Sequence, residues 1–235
     1  MLTRRHIRVK VMQSIYALIQ SKDDSLQKQE KFLKVSIENT YTLYLLWLSL
    51  FVEIQKRAAD QISLAANKYI TDKKQEFPNP NKFIQNRLLL QMVDNTKLTE
   101  ELNHRKLDNW YLNEEYVKLI YKEIIESDAY QEYMSKPESD YASDKELVLT
   151  LFKTIFAPNE KIYDYFEDDK LTWVDDIPIV NTFVLKHLKK AKQVHPESYF
   201  LPSLMKDDDD MQYALQLLSR TLLKNEALEK EIEGK

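Results

Sequence analysis

Apolar residues recur at helical spacing from the beginning of the chain. Residues three or four positions apart lie on one face of an α-helix, and the first twenty residues contain one such stripe. The stripe consists of Ile7, Val11, Ile15, Leu18 and Ile19. This pattern predicts a helix that is capped by Thr3, runs to about Gln20 and buries the stripe.

A second face of the same predicted helix is mostly polar and begins with a basic residue. At 100° per residue, Arg5, Val9, Gln13 and Tyr16 cluster away from the apolar stripe. The acidic pair Asp23-Asp24 follows and is predicted to end the helix. The chain therefore opens with a helix that has one buried face and one different, polar face.

The longest helical pattern extends over residues 25–70. Its middle, residues 40–55, is apolar on nearly every side, as expected of a helix that is surrounded by other helices. Its length without internal caps fits either one spanning helix or a kinked pair. The most apolar run, residues 43–54, is too short to span a bilayer. We therefore predict no membrane segment.

Prolines and capping residues divide the rest of the chain. Residues 71–81 hold Pro78 and Pro80 and are predicted to form a linker. Ser143 and Glu146 have the spacing of a capping box, which predicts a helix start at Ser143. The further helices are predicted at residues 81–103, 113–136, 143–156, 159–167, 176–193 and 207–232.

Composition narrows the possible classes of function. The 235 residues include one glycine, Gly234, and no cysteine. Because tight hairpins, Walker A loops and G-x-G-x-x-G loops need glycine, we predict an all-α protein without these phosphate-binding loops. The absence of cysteine excludes disulfides and a cysteine nucleophile and is consistent with a cytoplasmic protein. The four histidines lack metal-ligand spacing, so we predict no metal site, and we predict no cofactor.

Positive charge is concentrated at the N-terminus. The whole chain has a net charge of −4, whereas its first 22 residues carry five basic residues and no acidic one. These basic residues are Arg4, Arg5, Arg8, Lys10 and Lys22. Charge collected on one element attracts polyanions. Residues 25–202 have an acidic tilt without a basic stripe, which predicts a scaffold that faces other proteins. The acidic run at residues 207–210 is predicted to lie in a solvated loop and to cap the helix that follows.

The opening helix resembles that of a known family. Arg4-Arg5, Arg8, Gln13 and Tyr16 stand at the spacing found in the first helix of NusB transcription antitermination factors. Residues 211–235 are similar to the NusB helix pair that leads to the junction between the family's two helical halves. The region between them contains NTYTLYLLWLSLFVEI and NPNKFIQNRLL, and it resembles the large helical insertion of long, Bacteroidetes-type NusB variants.

This resemblance implies how the chain is divided. Residues 1–24 and 203–235 are expected to form part of a NusB-like helical bundle, and residues 25–202 are expected to form a helical insertion. The sequence ends at Lys235, before the Arg-rich helix and the later helices of ordinary NusB proteins. The family's carboxy-terminal half is therefore expected to be missing.

The resemblance also implies a noncatalytic function in transcription. NusB-like proteins bind boxA-type RNA together with NusE, a small-subunit ribosomal protein, and join the transcription elongation complex during ribosomal RNA synthesis. Guanidinium groups pair with phosphate oxygens, a tyrosine stacks on a base, and a glutamine amide reads a base edge. The residues assigned to this RNA contact are Arg4, Arg5, Arg8, Lys10, Gln13 and Tyr16.

Two other functions remain open at this point. The first is a helical protein-interaction scaffold that does not bind RNA. The second is the NusB-like RNA-recognition domain of ribosomal RNA methyltransferases, which is disfavoured because no methyltransferase domain with a glycine-rich loop follows. Two of the assigned residues also have structural alternatives. Tyr16 either contacts RNA or packs within the protein, and Arg4 shares the phase of the buried stripe.

Overall fold

The computed structural model describes residues 1–21, 25–67 and 77–224, and within these ranges the protein is all-helical, as predicted. The β-type pairing in this part is an isolated parallel bridge between Leu2 and Met205. The α-helices in these ranges are α1 (Arg4–Ser21), α2 (Leu26–Asn67), α3 (Arg87–Val93), α4 (Thr96–His104), α5 (Asn109–Leu112), α6 (Glu114–Glu126), α7 (Asp128–Ser135), α8 (Tyr141–Leu151), α9 (Glu160–Asp169), α10 (Ile177–Lys190) and α11 (Asp210–Leu223).

Some predicted features lie outside the described residues. They are the acidic pair Asp23-Asp24, the first part of the linker at residues 71–76, and the helix end at Gly234. The long pattern that fitted either one helix or a kinked pair forms a single helix, α2, from Leu26 to Asn67.

Two predicted helices are each divided by a capping residue. The pattern over residues 81–103 splits into α3 and α4 at Asn95, whose side-chain oxygen accepts the N–H of Leu98 at 2.8 Å. The pattern over residues 113–136 splits into α6 and α7 at Ser127, whose hydroxyl accepts the N–H of Tyr130 at 3.3 Å. A side chain that satisfies the first free N–H groups of a new helix makes such a break favourable.

The predicted helix start at Ser143 is wrong by two residues. α8 begins at Tyr141, and its N-cap is Asp140, whose carboxylate accepts the N–H of Ser143 at 2.7 Å. The Ser143 hydroxyl donates to the same carboxylate at 2.6 Å. A charged acceptor makes the stronger hydrogen bond to a helix N-terminus, so Asp140 takes the capping position.

The chain divides into two compact units. The first unit comprises residues 1–42 and 202–235, and the second comprises residues 43–201. α2 contributes its first turns to the first unit and the remainder to the second. The first unit thus includes residues 25–42, which the sequence prediction assigned to the insertion.

The first unit is built from α1, the start of α2 and α11. α1 packs along α11, and the N–H of Leu2 donates to the carbonyl of Leu204 at 2.8 Å. Ile7 and Val11 of α1 are buried, as are Leu33 and Ile37 of α2. These contacts fix the rotation of α1 about its own axis and therefore decide which of its residues face outward.

The second unit has an aromatic core around α2. Trp47 forms T-shaped pairs with Phe152 and Phe166 at ring-centre distances of 5.3 and 5.2 Å, and Phe51 stacks on Phe156 at 4.4 Å. α8 continues into a π-helical turn over Phe152–Phe156, which holds two of these rings. Aromatic pairs at such distances add to the stabilisation that comes from burial of their surface.

Candidate nucleic-acid interface

The inner face of α1 holds the helix against its own unit. Ile7 and Val11 are buried as predicted, and Lys10 and Ser14 are buried beside them on the same face. Ile19 was predicted to be buried but is 61% exposed. It lies about 120° around the helix from Ile7, which places it outside the arc that faces the core.

The outer face of α1 forms a line of exposed side chains. Arg5 and Arg8 occupy its N-terminal end and are exposed, while Met12 and Tyr16 continue the line and are 63% and 65% exposed. Arg5 and Tyr16 lie about 16 Å apart along the axis and within about 20° of each other around it. We call Arg5, Arg8, Met12 and Tyr16 the α1 strip.

The cationic end of the α1 strip is not neutralised by a neighbouring side chain. Neither Arg5 nor Arg8 forms an ion pair with another residue of the described ranges, and residues 1–20 contain no acidic residue. Two unpaired guanidinium groups at a helix N-terminus, where the helix dipole is also positive, create a local positive potential. This arrangement suits a negatively charged ligand.

Arg4 occupies a different position from the other two arginines. Its Nε donates to the buried carboxylate of Asp210 at 3.1 Å, and its guanidinium lies 5.1 Å from the ring centre of Tyr213. The hydrogen bond and charge of Asp210 raise the pKa of Arg4. Burial acts to raise the pKa of Asp210, but the bonds from Arg4 and from the Asp207 N–H outweigh it and lower that pKa. Arg4 thus joins α1 to α11.

Lys10 and Gln13 also lie away from the centre of the strip. Lys10 is only 3% exposed, and its Nζ donates to the hydroxyl of Ser36 on α2 at 3.1 Å. Gln13 is half-buried at the edge of the outer face. The structure therefore groups Arg5, Arg8 and Tyr16 from the six assigned residues and adds Met12, which the sequence prediction did not include.

The second unit carries a basic cluster that the sequence prediction overlooked. Lys186, Lys189 and Lys190 at the end of α10, and Lys192 just after it, are all exposed. None of them forms an ion pair with another described residue. The signal was present in the sequence, because residues 186–195 read KHLKKAKQVH without an acidic residue. Acidic residues elsewhere in residues 25–202 outweigh this segment in the net charge of the region.

The acidic run at residues 207–210 is divided between loop and core. Asp207, Asp208 and Asp209 are exposed, whereas Asp210 begins α11 and its side chain is buried against Arg4. In the part of the chain that the structure describes, no three His, Cys, Asp or Glu residues are grouped to hold a metal ion. Within the same ranges, no helix combines the length and apolarity needed to cross a membrane.

The arrangement at α1 offers two kinds of contact side by side. Guanidinium groups can pair with phosphate oxygens, and the exposed ring of Tyr16 can stack on a base.

Comparison of this chain with protein-family models, with curated proteins and with solved structures finds no match.

Proposed function

We propose that this protein is a noncatalytic, RNA-binding transcription antitermination factor of the NusB type. It binds boxA-type RNA together with NusE, the small-subunit ribosomal protein, and acts with the transcription elongation complex in the cytoplasm. The observation that carries the proposal is the α1 strip, in which two unpaired arginines and an exposed tyrosine lie in line on one helix face.

The strip has the chemistry that single-stranded RNA requires. Arg5 and Arg8 supply bidentate donors for consecutive phosphates. Tyr16 supplies a ring for an unstacked base, a contact that contributes about 1–3 kcal/mol per base. Gln13 lies at the edge of the strip with an amide that can donate and accept. Arg4 and Lys10 contribute indirectly, since their bonds to Asp210 and Ser36 hold α1 in place.

The contribution of the two arginines can be measured from the salt dependence of RNA affinity. Each phosphate contact to a single strand contributes about −0.7 to the slope of log affinity against log salt. We expect the double variant Arg5→Gln, Arg8→Gln to flatten this slope by about 1.4, measured by fluorescence anisotropy with a boxA oligonucleotide. Tyr16→Leu should weaken binding without changing the slope, because it removes stacking and no charge.

A matched control removes the same charge elsewhere in the first unit. Arg220 on α11 and Lys34 on α2 are both exposed, so Arg220→Gln with Lys34→Gln lowers the charge of the unit equally. This control should leave the slope close to that of the unaltered chain. Equal slopes for the two double variants would mean that α1 is not the RNA-binding element.

A second candidate function is a helical protein-interaction scaffold without RNA binding. It is favoured by the apolar part of the outer face of α1, where Met12 and Ile19 are exposed by more than 60%. Neighbouring exposed apolar side chains are typical of protein contact sites. Under this function, Met12→Gln with Ile19→Gln would abolish NusE binding, and Arg5→Gln with Arg8→Gln would leave RNA affinity unchanged.

A further inference from the structure

The lysines at the end of α10 lie so close together that they repel one another. Lys186 is one turn from Lys190 and three residues from Lys189, and all three project from the exposed face of the helix. Like charges at these spacings destabilise a helix by a few tenths of a kcal/mol per pair. No carboxylate among the described residues pairs with them. The negative end of the helix dipole offsets part of this repulsion, but it leaves the charge of the lysines exposed to solvent.

The α10 lysines do not cap the last carbonyls of their own helix directly. Basic side chains near a helix C-terminus are stabilising when they bind its last carbonyls. In this protein Lys145 of α8 performs that role, since its Nζ donates to the carbonyls of Lys189 and Ala191 at 3.3 Å each. The α10 lysines themselves bind no described carbonyl and remain available to a ligand.

A surface depression follows directly after the lysines in the chain. It has a volume of about 500 Å³ and is lined by Arg87, Asp94, Asn95, Gln193, His195 and Glu197 among others. Its wall is held in place by Gln91, whose amide donates to the carbonyls of Lys192 and Gln193 at 3.1 and 2.8 Å. The Gln91 side-chain oxygen also lies 3.1 Å from Nε2 of His195. These contacts tie the loop that forms one wall of the depression to α3.

The groups in the depression suit a neutral ring with polar edges better than an anion. Arg87 uses Nη1 to bind Asp144 and Ser139, which leaves its other donors available. Asp94 and Gln193 have no described side-chain partner and offer acceptors and donors. His195 stacks on Tyr199 at 4.5 Å, which adds a flat surface beside them. A carboxylate entering here would meet Asp94 and Glu197, whereas a nucleobase edge can pair with both kinds of group.

We propose that the α10 lysines and this depression form a second binding surface for single-stranded RNA. Phosphates lie against Lys186, Lys189 and Lys190, and one base enters the depression. The inference rests on the proposed function only in taking RNA as the ligand, since these residues belong to the second unit and the α1 strip to the first. The combination of a cationic helix face with a polar pocket for a base favours RNA over an acidic peptide.

The test uses the full chain and a labelled single-stranded RNA oligonucleotide. The triple variant Lys186→Gln, Lys189→Gln, Lys190→Gln removes three charges while it keeps residues of similar helix propensity. We expect the salt slope of RNA affinity to flatten by about 2, and the affinity at 0.1 M salt to fall about 10- to 100-fold. Photocrosslinking with 4-thiouridine RNA should modify the peptide that contains residues 191–199.

A matched control and the α1 variant separate the possible outcomes. Lys118, Lys122 and Lys136 are each ion-paired with a glutamate on their own or a neighbouring turn, so changing these three to Gln removes equal charge and should leave the slope unchanged. A triple α10 variant that behaves like this control overturns the inference. The inference is also overturned if polyglutamate competes with RNA and loses as much affinity as RNA does in the triple α10 variant. If the salt slope of RNA affinity flattens in the triple α10 variant but not in the double variant Arg5→Gln, Arg8→Gln, the α1 proposal is overturned and the α10 inference stands.

Discussion

At the scale of single residues, buried polar groups are the points at which this fold is most sensitive to solution conditions. His187 of α10 lies between Tyr44 and Tyr199, with its Nδ1 3.4 Å from the Tyr44 hydroxyl. Its Nε2 is buried without a hydrogen-bond partner. Burial lowers the pKa of His187 to about 4. The neutral imidazole is therefore the form that the second unit accommodates.

This histidine predicts a loss of stability in mild acid. The unfolded chain takes up a proton on His187 near its ordinary pKa, whereas the folded chain resists protonation until about pH 4. The free energy of unfolding is therefore unaffected by His187 above the pKa that this residue has in the unfolded chain. It decreases as pH falls from there towards the pKa in the folded chain, by about 2 kcal/mol at pH 5. Urea denaturation of the full chain at pH 8 and pH 5 measures this change. His187→Leu should remove that part of the pH dependence, and an unchanged pH profile in this variant would assign the effect to other groups.

Among the helices, periodicity identifies the apolar residues that one helix buries. It does not identify the polar contacts that the helix makes with other helices and loops. The buried positions of Ile7 and Val11 follow from spacing alone. The burial of Lys10 does not, because its partner, Ser36, comes from a different helix. The break at Asn95 was not predicted for the same reason. Apolar residues continue on both sides of it, and one of the hydrogen bonds that favour the break is made to a loop distant in the sequence. Its Nδ2 donates to the carbonyl of Glu197 at 2.9 Å.

The break between α3 and α4 gives a prediction for Asn95. Asn95→Ala removes the N-cap bond to Leu98 and the bond to Glu197 together. We expect a loss of about 1–2 kcal/mol in the free energy of unfolding. Asp108→Ala is the matched control, since Asp108 precedes α5 without a side-chain capping bond. That variant should change stability by less than about 0.5 kcal/mol. Equal effects of the two changes would show that the Asn95 cap is not what stabilises the break.

At the scale of the whole molecule, the scarcity of glycine and the helical periodicity were enough to predict an all-α chain. The position of charge was harder to derive. The basic N-terminus is visible in the sequence, yet only the packing of α1 separates the exposed Arg5 and Arg8 from the paired Arg4 and the buried Lys10. The lysines of α10 belong to a region whose net charge is acidic, so the net charge of that region does not reveal them. In each unit, the exposed cations that we propose to bind RNA form no ion pair with a described carboxylate, whereas other exposed cations, such as Lys118, do.

The affinity of the full chain for boxA-type RNA and for a scrambled strand of equal length distinguishes specific RNA binding from general attraction to polyanions. Each strand is titrated over a range of salt concentrations, with and without NusE. The proposed RNA-binding function predicts tighter binding of the boxA strand, strengthened by NusE, with an affinity that falls steeply as salt rises. Equal and weak binding of both strands, with little dependence on salt, would contradict it.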